Sequence, residues 1–443
     1  MTWLVNIAYL AAGVLYLPML LYQMVVQKKN RRGWRERFGH LPLPPTTGRR
    51  IWIHAVSLGE VNCTPALVRA LTAAVPEAEV VVSTTTDTGY ARACKLYPPE
   101  RVFRYPLDLS WIVHRAFDRI RPALIVLVEL EVWPNLVRLA QRRHVPVAVI
   151  NGRLTKHSAR RLAWLGGVTR AMFTRLAWVG VQDETIAERF ARLGTPRCRI
   201  ALTGSLKWDT AEVVDSVPGA DALADALAIP RDRPLWVCGS TGPGEEALIL
   251  DAYAGLPAQG DTPVSLAIIP RKPERFDEVA ALIRGRGFDC VRRSEHPDGL
   301  PAAPPASART VFLGDTMGEL RKFYALARVV FVGRSLVPMG GSDPMEVAAL
   351  AKPVIVGPYM DNFQLPVACL RAKDALRVVH SAAELAEAVT GVVRDVALAD
   401  QLGRRARQVV LENQGATAQT VQALIAVLAE QEGRCGGSLP KQA

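Results

Sequence analysis

Glu60 has the best setting for acid–base chemistry in this sequence. It ends the run IWIHAVSLGE, close behind an apolar stretch that is typical of a buried strand, and Ser57 stands three residues before it. A serine and a glutamate at this spacing form a capping box, in which the carboxylate only closes the first turn of a helix. The position also suits a general base, because a helix N-terminus lowers the pKa of a carboxylate and keeps it ionised. The residues leave both interpretations open.

Positive side chains near the ends of apolar runs form a second group of candidates. Arg271, in IIPRKPER, would place its guanidinium fork where it could match the oxygens of a phosphate. A solvated run of surface charge is the alternative. Arg153, in NGRLTKHS, and Lys207, in GSLKWD, follow other apolar runs. Single cations of this kind are more often surface charges, but together in one site they would suit a phosphorylated or acidic substrate.

The stretch from Gly314 to Phe363 predicts a nucleotide site. Its apolar runs are followed by glycines and by two capping patterns, Thr316 with Glu319 and Asp343 with Glu346. Turns of this kind lie at the carboxyl ends of parallel strands, where ligands bind in open α/β sheets. Two helix N-termini beside close-approaching glycines would suit a phosphate and a ribose.

Two further turns carry weaker signals. CGSTGPGEE (238–246) contains Ser240 in a glycine-rich turn, but it lacks the lysine of a P-loop and the GxGxxG pattern. VELEVWPN places Glu129 and Glu131 at the end of a strand. Two carboxylates there are unusual for solvation alone, so both are candidates for substrate contacts.

Apolar runs that alternate with helical patterns must position these residues. The first set is IWIHAV, EVVVSTT, LIVLVELE, PVAVI and AWVGVQ; the second is LWVCGS, VSLAIIPR, TVFLGD, RVVFVG and PVIVG. This alternation predicts an α/β protein with two doubly wound parallel sheets. We expect the chain to be divided into an N-terminal domain, a linker, a C-terminal domain, a closing helix and a tail, at 28–210, 211–230, 231–405, 406–431 and 432–443.

Length and composition agree with two globular domains. The chain has 443 residues, of which 49% are hydrophobic, enough for two cores. The net charge of +12 fits nucleic acid, an anionic membrane surface or an acidic substrate. No nucleic-acid motif or ligand-like histidine pair is present, so we expect a membrane surface, and no nucleic acid, metal or cofactor. Seven scattered cysteines without a CxxC predict reduced thiols.

The N-terminal segment Trp3–Val26 predicts a membrane anchor at 1–27. Its 24 apolar positions are interrupted chiefly by Asn6 and Gln23, and at 1.5 Å per residue they could span the hydrocarbon core. No positive region precedes the segment and no cleavage site follows it. Lys28, Lys29, Arg31, Arg32, Arg35 and Arg37 follow it and would keep the rest of the chain in the cytoplasm. A core helix or a helix inserted in the membrane surface is the alternative.

In these motifs the chain resembles the 3-deoxy-D-manno-octulosonic acid (Kdo) transferases of lipopolysaccharide synthesis. The resemblance covers nearly the whole chain. It is carried by WRERFG, IWIHAVSLGEV, STTTDTGY, ELEVWPN, NGRLT, GSLKWD, PRKPER, GDTMGELRKFY and GGSDPMEVAALAKPVIVGP. So many motifs in the same order make a chance match improbable.

The resemblance implies a GT-B fold, with two Rossmann-like domains, a cleft between them and a final helix that returns to the first domain. It implies transfer of Kdo from CMP-Kdo to the lipid A precursor lipid IVA, by an inverting mechanism without a metal, at the cytoplasmic face of a bacterial inner membrane. Glu60 matches the family's proposed catalytic base. The positions that match its CMP-binding residues are Pro270, Arg271, Met317, Gly318, Glu319, Asp343, Pro344, Met345 and Glu346.

Two motifs depart from the family pattern. Ser342 and Asp343 replace a His-Asn pair, and Gly242 stands where the family has a histidine. A related GT-B transferase that uses another CMP- or UDP-activated sugar on a membrane lipid is therefore the first alternative. A membrane-attached scaffold without activity is the second, and the presence of Glu60, Arg271 and Glu346 together argues against it.

Overall fold

The computed structural model describes residues 2–26, 32–46, 48–256, 263–298, 302–303, 306–307 and 309–436. The chain forms two compact units. Unit 1 is Met1–Thr210 together with Gln414–Ala443, and unit 2 is Ala211–Asn413. Residues 211–230, predicted as a linker, thus belong to unit 2.

Unit 1 contains a parallel sheet of seven strands in the order β3-β2-β1-β4-β5-β6-β7. The strands are β1 (Arg49–His54), β2 (Ala78–Thr84), β3 (Val102–Arg104), β4 (Pro122–Val128), β5 (Val147–Gly152), β6 (Trp178–Val181) and β7 (Ile200–Leu202). The strand order reverses between β1 and β4. In a doubly wound sheet, ligands bind at such a reversal, beyond the carboxyl ends of the strands.

Helices cover both faces of the unit 1 sheet. They are α1 (Thr2–Val25), α2 (Trp34–Arg37), α3 (Leu58–Asn62), α4 (Thr64–Ala74), α5 (Asp87–Leu96), α6 (Ser110–Ile120), α7 (Pro134–Arg142), α8 (Lys156–Trp164), α9 (Gly167–Phe173) and α10 (Glu184–Leu193). Successive side chains of a strand point to opposite faces. Trp52 of β1 therefore packs in one apolar layer, while Ile51 and Ile53 pack in the other. Burial on both faces explains why the central strands read as continuous apolar runs.

Unit 2 repeats this architecture with the strand order β10-β11-β9-β8-β12-β13-β14, which reverses between β8 and β12. Its strands are β8 (Leu235–Thr241), β9 (Ser265–Pro270), β10 (Asp289–Arg292), β11 (Thr310–Leu313), β12 (Val329–Val332), β13 (Val354–Val356) and β14 (Leu376–Val378). Its helices are α11 (Ala220–Ala226), α12 (Glu245–Ala254), α13 (Phe276–Gly285), α14 (Leu320–Leu326), α15 (Met345–Ala349), α16 (Gln364–Ala372), α17 (Ala382–Arg394) and α18 (Val396–Asn413).

The closing helix predicted over 406–431 is divided into two helices at Gly415, the position at which the sequence allowed a break. Residues 406–413 end α18, and α19 (Ala416–Gly436) begins after Gly415, whose φ of 108° is left-handed. The carboxylate of Asp209 accepts the backbone N–H groups of Gly415 and Thr417, and so caps α19. Leu424 of α19 packs in the core of unit 1. The predicted tail began at 432, but the helix continues to Gly436; residues 437–443 lie outside the described part.

Helix α1 is long and apolar enough to cross a membrane over Trp3–Val25. Most of its large apolar side chains are exposed, and Leu15 is 83% exposed. Lys28, Lys29 and Arg31 of the predicted basic cluster lie outside the described residues. The helix is therefore a candidate membrane anchor.

Candidate active site

Glu60 forms the capping box that its spacing predicts. Ser57 precedes α3 and accepts a hydrogen bond from the backbone N–H of Glu60, at 3.4 Å. The Ser57 hydroxyl donates to Oε1 of Glu60 at 2.8 Å, and the backbone N–H of Val56 donates to Oε2 at 2.8 Å. A carboxylate has about four acceptor positions, so both oxygens keep capacity for a further proton donor. The capping role and a catalytic role are compatible.

The predicted lowering of the Glu60 pKa is wrong. Burial raises the pKa of Glu60 to about 7, and the nearby carboxylates of Glu129 and Glu131 raise it further, against the hydrogen bonds from Val56 and Ser57. Helix α3 has only five residues, too few to build a large dipole. Desolvation therefore outweighs the helix N-terminus.

Glu129 and Glu131 follow β4, the strand beside β1 at the reversal of the sheet. Glu129 has a left-handed φ of 63°, and its backbone N–H donates to the carbonyl of Ile150 at 2.9 Å. The Glu131 carboxylate accepts the indole N–H of Trp133 at 3.1 Å, and burial raises its pKa. The structure thus brings three candidate carboxylates together at one point of unit 1.

Arg153 and Lys207 also lie near this end of the unit 1 sheet, and different backbone contacts position them. The backbone N–H of Arg153 donates to the carbonyl of Glu129 at 3.4 Å, and its side chain is exposed. Lys207 follows β7 at the sheet edge, but the backbone N–H of Leu206 donates to Oδ1 of Asn151 at 3.1 Å, which ties this loop to β5. Asn151 is fully buried with a φ of 51°. The sequence reasoning missed Asn151, although an Asn-Gly pair that ends a strand was a signal for it.

In unit 2, Arg271 and Glu346 lie near each other. Pro270 ends β9, and the next residue, Arg271, is exposed. The Glu346 side chain is accessible to solvent; partial desolvation by the protein around it raises its pKa, while the charges of Arg271 and Arg321 lower it. Arg321 was not predicted. Two guanidinium groups thus lie close enough to Glu346 to lower its pKa, and one of them, Arg321, also pairs with Glu212.

Asp343 binds the start of α15, but it is not the N-cap residue that its spacing from Glu346 predicts. Its Oδ1 accepts the backbone N–H of Met345 at 2.8 Å, and the helix begins after Pro344 rather than at it. The fully buried hydroxyl of Tyr324 hydrogen bonds with Ser240, and its pKa is raised well above the usual value by burial and by the carboxylates of Glu346 and Asp343. Ser240, at the end of β8, is thus part of the same cluster.

Thr316 does not cap a helix, contrary to the prediction. Helix α14 begins at Leu320, and the Thr316 hydroxyl donates to the Glu319 carboxylate. Both oxygens of Glu319 also accept from Arg293, at 2.8 and 2.9 Å, and Lys322 donates at 3.0 Å. These donors lower the pKa of Glu319 to about 2, with the bond from Arg293 as the largest cause. Protein cations thus already bind this carboxylate.

Met317 and Gly318, which precede Glu319, lie open to solvent in the same turn. The Met317 side chain is 69% exposed. Gly318 has a left-handed φ of 90°, and a Cβ there would meet no atom within 4 Å. This turn could approach a ligand closely through its backbone.

Two buried glutamates of unit 2 were missed as functional residues. Glu245 accepts the backbone N–H groups of four residues after β8 and β12: Gly242, Arg334, Ser335 and Leu336. Its neighbour Glu246 accepts from the Thr241 hydroxyl at 2.8 Å and from Arg275 at 2.6 and 3.2 Å. The two carboxylates fix the turns on both sides of the strand reversal. In the sequence, they could have been recognised as a pair of adjacent glutamates at the start of a helix that follows a glycine-rich turn.

The space beside Gly242 is already filled. A Cβ at this position would lie 2.8 Å from Sδ of Met339 and 3.0 Å from Cγ of Arg334. A histidine could not enter without moving both side chains. The sequence reasoning also missed Arg334. Its guanidinium places a positive charge at the strand reversal between β8 and β12, in place of the family's histidine.

Within the described ranges, no group of three or more His, Cys, Asp or Glu side chains could hold a metal ion. The candidate residues therefore form two groups, each within its own unit: carboxylates in unit 1, and guanidinium groups, carboxylates and tight turns in unit 2.

Comparison with known proteins identifies the family. The family model of 3-deoxy-D-manno-octulosonic-acid transferase (kdotransferase) matches residues 32–210. The 3-deoxy-D-manno-octulosonic acid transferase of Haemophilus influenzae is 33% identical over 382 residues, which are 86% of this chain and 87% of that protein. The chain belongs to the Kdo transferase family. It is therefore an enzyme, a glycosyltransferase that transfers Kdo.

Two solved structures are similar to this Kdo transferase. The C-terminal CMP-Kdo binding domain of WaaA from Acinetobacter baumannii is 31% identical, with a TM-score of 0.39, and covers 43% of this chain and 95% of its own. A glycosyltransferase from Rickettsia africae is 11% identical, with a TM-score of 0.55, and covers 87% and 99%. The second likeness concerns the fold alone, and with the two seven-stranded parallel sheets it gives the GT-B class.

Proposed function

We propose that this Kdo transferase moves Kdo from CMP-Kdo to lipid IVA with inversion at the anomeric carbon, and that Glu60 is the general base. The observation that carries the proposal is the Glu60 carboxylate itself. It lies at the reversal of the unit 1 sheet, and its pKa of about 7 suits a base that must both hold and release a proton near neutral pH.

The proposed step requires one proton transfer. A hydroxyl oxygen of the glucosamine acceptor attacks the anomeric carbon of Kdo as the bond from that carbon to the phosphate of CMP breaks. Glu60 takes the hydroxyl proton, and the bonding electrons leave with the phosphate. The Ser57 hydroxyl and the Val56 N–H, which donate to Glu60, would orient the carboxylate towards the acceptor.

Unit 2 would bind the CMP group. Arg271 would supply the positive charge that a nucleoside monophosphate leaving group requires, and Arg321 is a weaker candidate because it already pairs with Glu212. Glu346 is exposed beside them and would accept from the ribose hydroxyls. Glu319 is a weaker candidate for this role, because Arg293 and Lys322 already bind its carboxylate. Met317 and Gly318 would contact the nucleotide through the open turn before it.

The membrane is the proposed location of the acceptor. Helix α1 would attach the enzyme to the inner membrane, and the net charge of +12 would hold its cytoplasmic units against anionic lipids. A lipid acceptor would then diffuse to the enzyme within the same surface.

The proposal is tested by incubating the purified full chain with CMP-Kdo and lipid IVA and measuring the product masses. We expect lipid IVA to gain the mass of one or more Kdo residues, with release of CMP. Parallel reactions should contain other CMP- and UDP-activated sugars. Transfer from one of those donors, without transfer from CMP-Kdo, would contradict the proposal.

Arg271→Ala is expected to raise the KM for CMP-Kdo by about 10- to 100-fold, since a hydrogen bond to a charged group contributes about 1.5–3 kcal/mol. Arg271→Lys should recover only part of this, because an ammonium lacks the guanidinium fork. Initial rates at varied donor concentration give the KM. Arg371→Ala, an exposed arginine of α16 in the same unit, is the control. An unchanged KM in Arg271→Ala would remove this residue from the donor site.

A further inference from the structure

Most polar side chains of helix α1 lie on one face, with Tyr22 as the exception. Four of them are Asn6, Tyr9, Tyr16 and Gln23. At about 100° per residue, these positions fall within a sector about 100° wide. The least exposed side chains of the helix fall in the same sector: Val5, Asn6, Tyr9, Leu20, Gln23 and Met24. This face of α1 is thus partly covered near both ends of the helix, while residues 10–19 and the remaining apolar surface are exposed.

The amino-terminal end of this face is bound to unit 1. Asn6 donates to the Ser110 hydroxyl at 2.7 Å and accepts the backbone N–H of Ser110 at 3.1 Å and the side-chain N–H of Asn135 at 3.0 Å. The Tyr9 hydroxyl donates to Asp108 at 3.1 Å. Asp108 also accepts the backbone N–H of Asn135 at 2.9 Å, at the start of α7. The start of α1 is therefore held by a specific hydrogen-bond network.

The other end of α1 returns to unit 1 after a short connection. Helix α2 starts at Trp34, and within it Glu36 accepts the backbone N–H of Arg104, while Arg37 donates to the carbonyl of Thr85 at 2.9 Å. The connection, residues 27–33, reaches about 25 Å when fully extended. Both ends of α1 thus belong to the same unit.

These contacts conflict with a helix that crosses the bilayer. If α1 crossed it with Asn6 and Tyr9 bound to unit 1, Val25 would lie on the far side of about 30 Å of hydrocarbon. Residues 27–33 would then have to return through it, although they are too short and carry Lys28, Lys29, Arg31 and Arg32.

We infer that α1 lies in the plane of the membrane surface, with its polar face docked on unit 1 through Asn6 and Tyr9 and its apolar side in the acyl chains. Monotopic helices bind membranes in this way. The inference rests on the proposed membrane attachment and goes beyond it, because it states how the enzyme is attached.

The docking has a consequence for the candidate site. The Tyr9 ring lies 6.5 Å from the ring of Trp133, centroid to centroid, and the Trp133 indole donates to Glu131. Helix α1 is therefore connected by direct contacts to the loop that holds the carboxylates beside Glu60. An in-plane α1 sets this loop at the level of the lipid headgroups, where the sugar of a glycolipid acceptor lies.

The test compares the two ends of the full chain. One protease site is placed directly before Thr2 and a second after Ala443, and the protein is reconstituted in vesicles of phosphatidylethanolamine and phosphatidylglycerol. An in-plane helix predicts that a membrane-impermeant protease cuts both sites in the same fraction of molecules without detergent. A crossing helix predicts complementary fractions, and that result would overturn the inference. Failure to bind the vesicles would overturn it as well, whereas transfer measured in detergent tests the proposed function separately.

The docking contacts are tested by the double variant Asn6→Leu with Tyr9→Phe. Without these hydrogen bonds only apolar contacts hold the start of α1 on unit 1. Among the molecules whose carboxyl-terminal site is cut, we therefore expect the fraction with a protected amino-terminal site to rise at least twofold. Ala8→Leu, which adds apolar surface at an exposed position of the same helix, is the matched control and should change nothing. Equal protection in the double variant and in Ala8→Leu would show that Asn6 and Tyr9 do not dock the helix.

Discussion

Glu60→Gln is expected to lower the rate of Kdo transfer by about 10²- to 10⁴-fold, the usual contribution of a general base. The amide can still accept from the Val56 N–H, one of the two bonds that hold the carboxylate, so the local fold should persist. It cannot take the proton of the acceptor hydroxyl. CMP binding, measured by calorimetry, should be unchanged, because the proposed CMP contacts are all made by unit 2.

The matched control is Glu188→Gln, a change of the same chemistry at a half-buried glutamate of α10 that pairs with Arg192. It should leave transfer unaffected. Near-normal transfer by Glu60→Gln would exclude Glu60 as the base, whatever the outcome of the donor experiments.

The pH profile gives an independent view of the same residue. A general base works only when it is deprotonated, and burial raises the pKa of Glu60 to about 7. The value of kcat/KM should therefore fall about tenfold per pH unit below 7 and level off above it. An unperturbed glutamate would give this inflection near pH 4.3. If the residual activity of Glu60→Gln shows no inflection near pH 7, the inflection in the kcat/KM profile of the unaltered enzyme belongs to the Glu60 carboxylate.

The sheets show which strands a sequence pattern can reveal. Each of the ten predicted strands is present, and the four that were missed are β3, β7, β10 and β14, the two edges of each sheet. They have only three or four residues, and VFR, DCVR and LRV include charged side chains. An edge strand needs less burial than a central one, so its apolar signal is weaker.

The candidate site was predictable where one local pattern carries the chemistry. The spacing of Ser57 and Glu60 gave the capping box. The pKa of Glu60 was not predictable, because it depends on burial and on Glu129 and Glu131, which are distant in the chain. Non-local partners decide such properties, and a short motif does not contain them.

The roles of Glu319 and Glu246 depend on distant residues in the same way. Glu319 and Glu346 stand at equivalent positions in the two capping patterns. In the structure, Arg293, which is 26 residues from Glu319 in the chain, binds the Glu319 carboxylate, whereas the Glu346 side chain is exposed. Glu246 was passed over, since nothing near it in the sequence indicates that Arg275, 29 residues away, would bind it.

Arg275→Ala is expected to lower the stability of unit 2 by about 3–5 kcal/mol, the usual cost of breaking a buried ion pair from one side. The Arg275 side chain is 9% exposed and that of Glu246 is 1% exposed. Removing the guanidinium leaves a buried carboxylate with only the Thr241 hydroxyl, at 2.8 Å, beside it. For a unit of this size, the unfolding midpoint should fall by about 6–20 °C, as measured by differential scanning calorimetry.

Arg231→Ala is the matched control, because Arg231 pairs with Asp221 and Asp225 in the same unit but is 50% exposed. An exposed pair contributes about 1 kcal/mol or less. The decisive comparison is Arg275→Ala with Glu246→Ala. If the two side chains act as a pair, the double variant should lose clearly less stability than the sum of the single changes, because it leaves no buried charge unpaired. Additive losses would mean that Arg275 stabilises unit 2 through other contacts, among them its bond at 2.8 Å to the exposed Glu278.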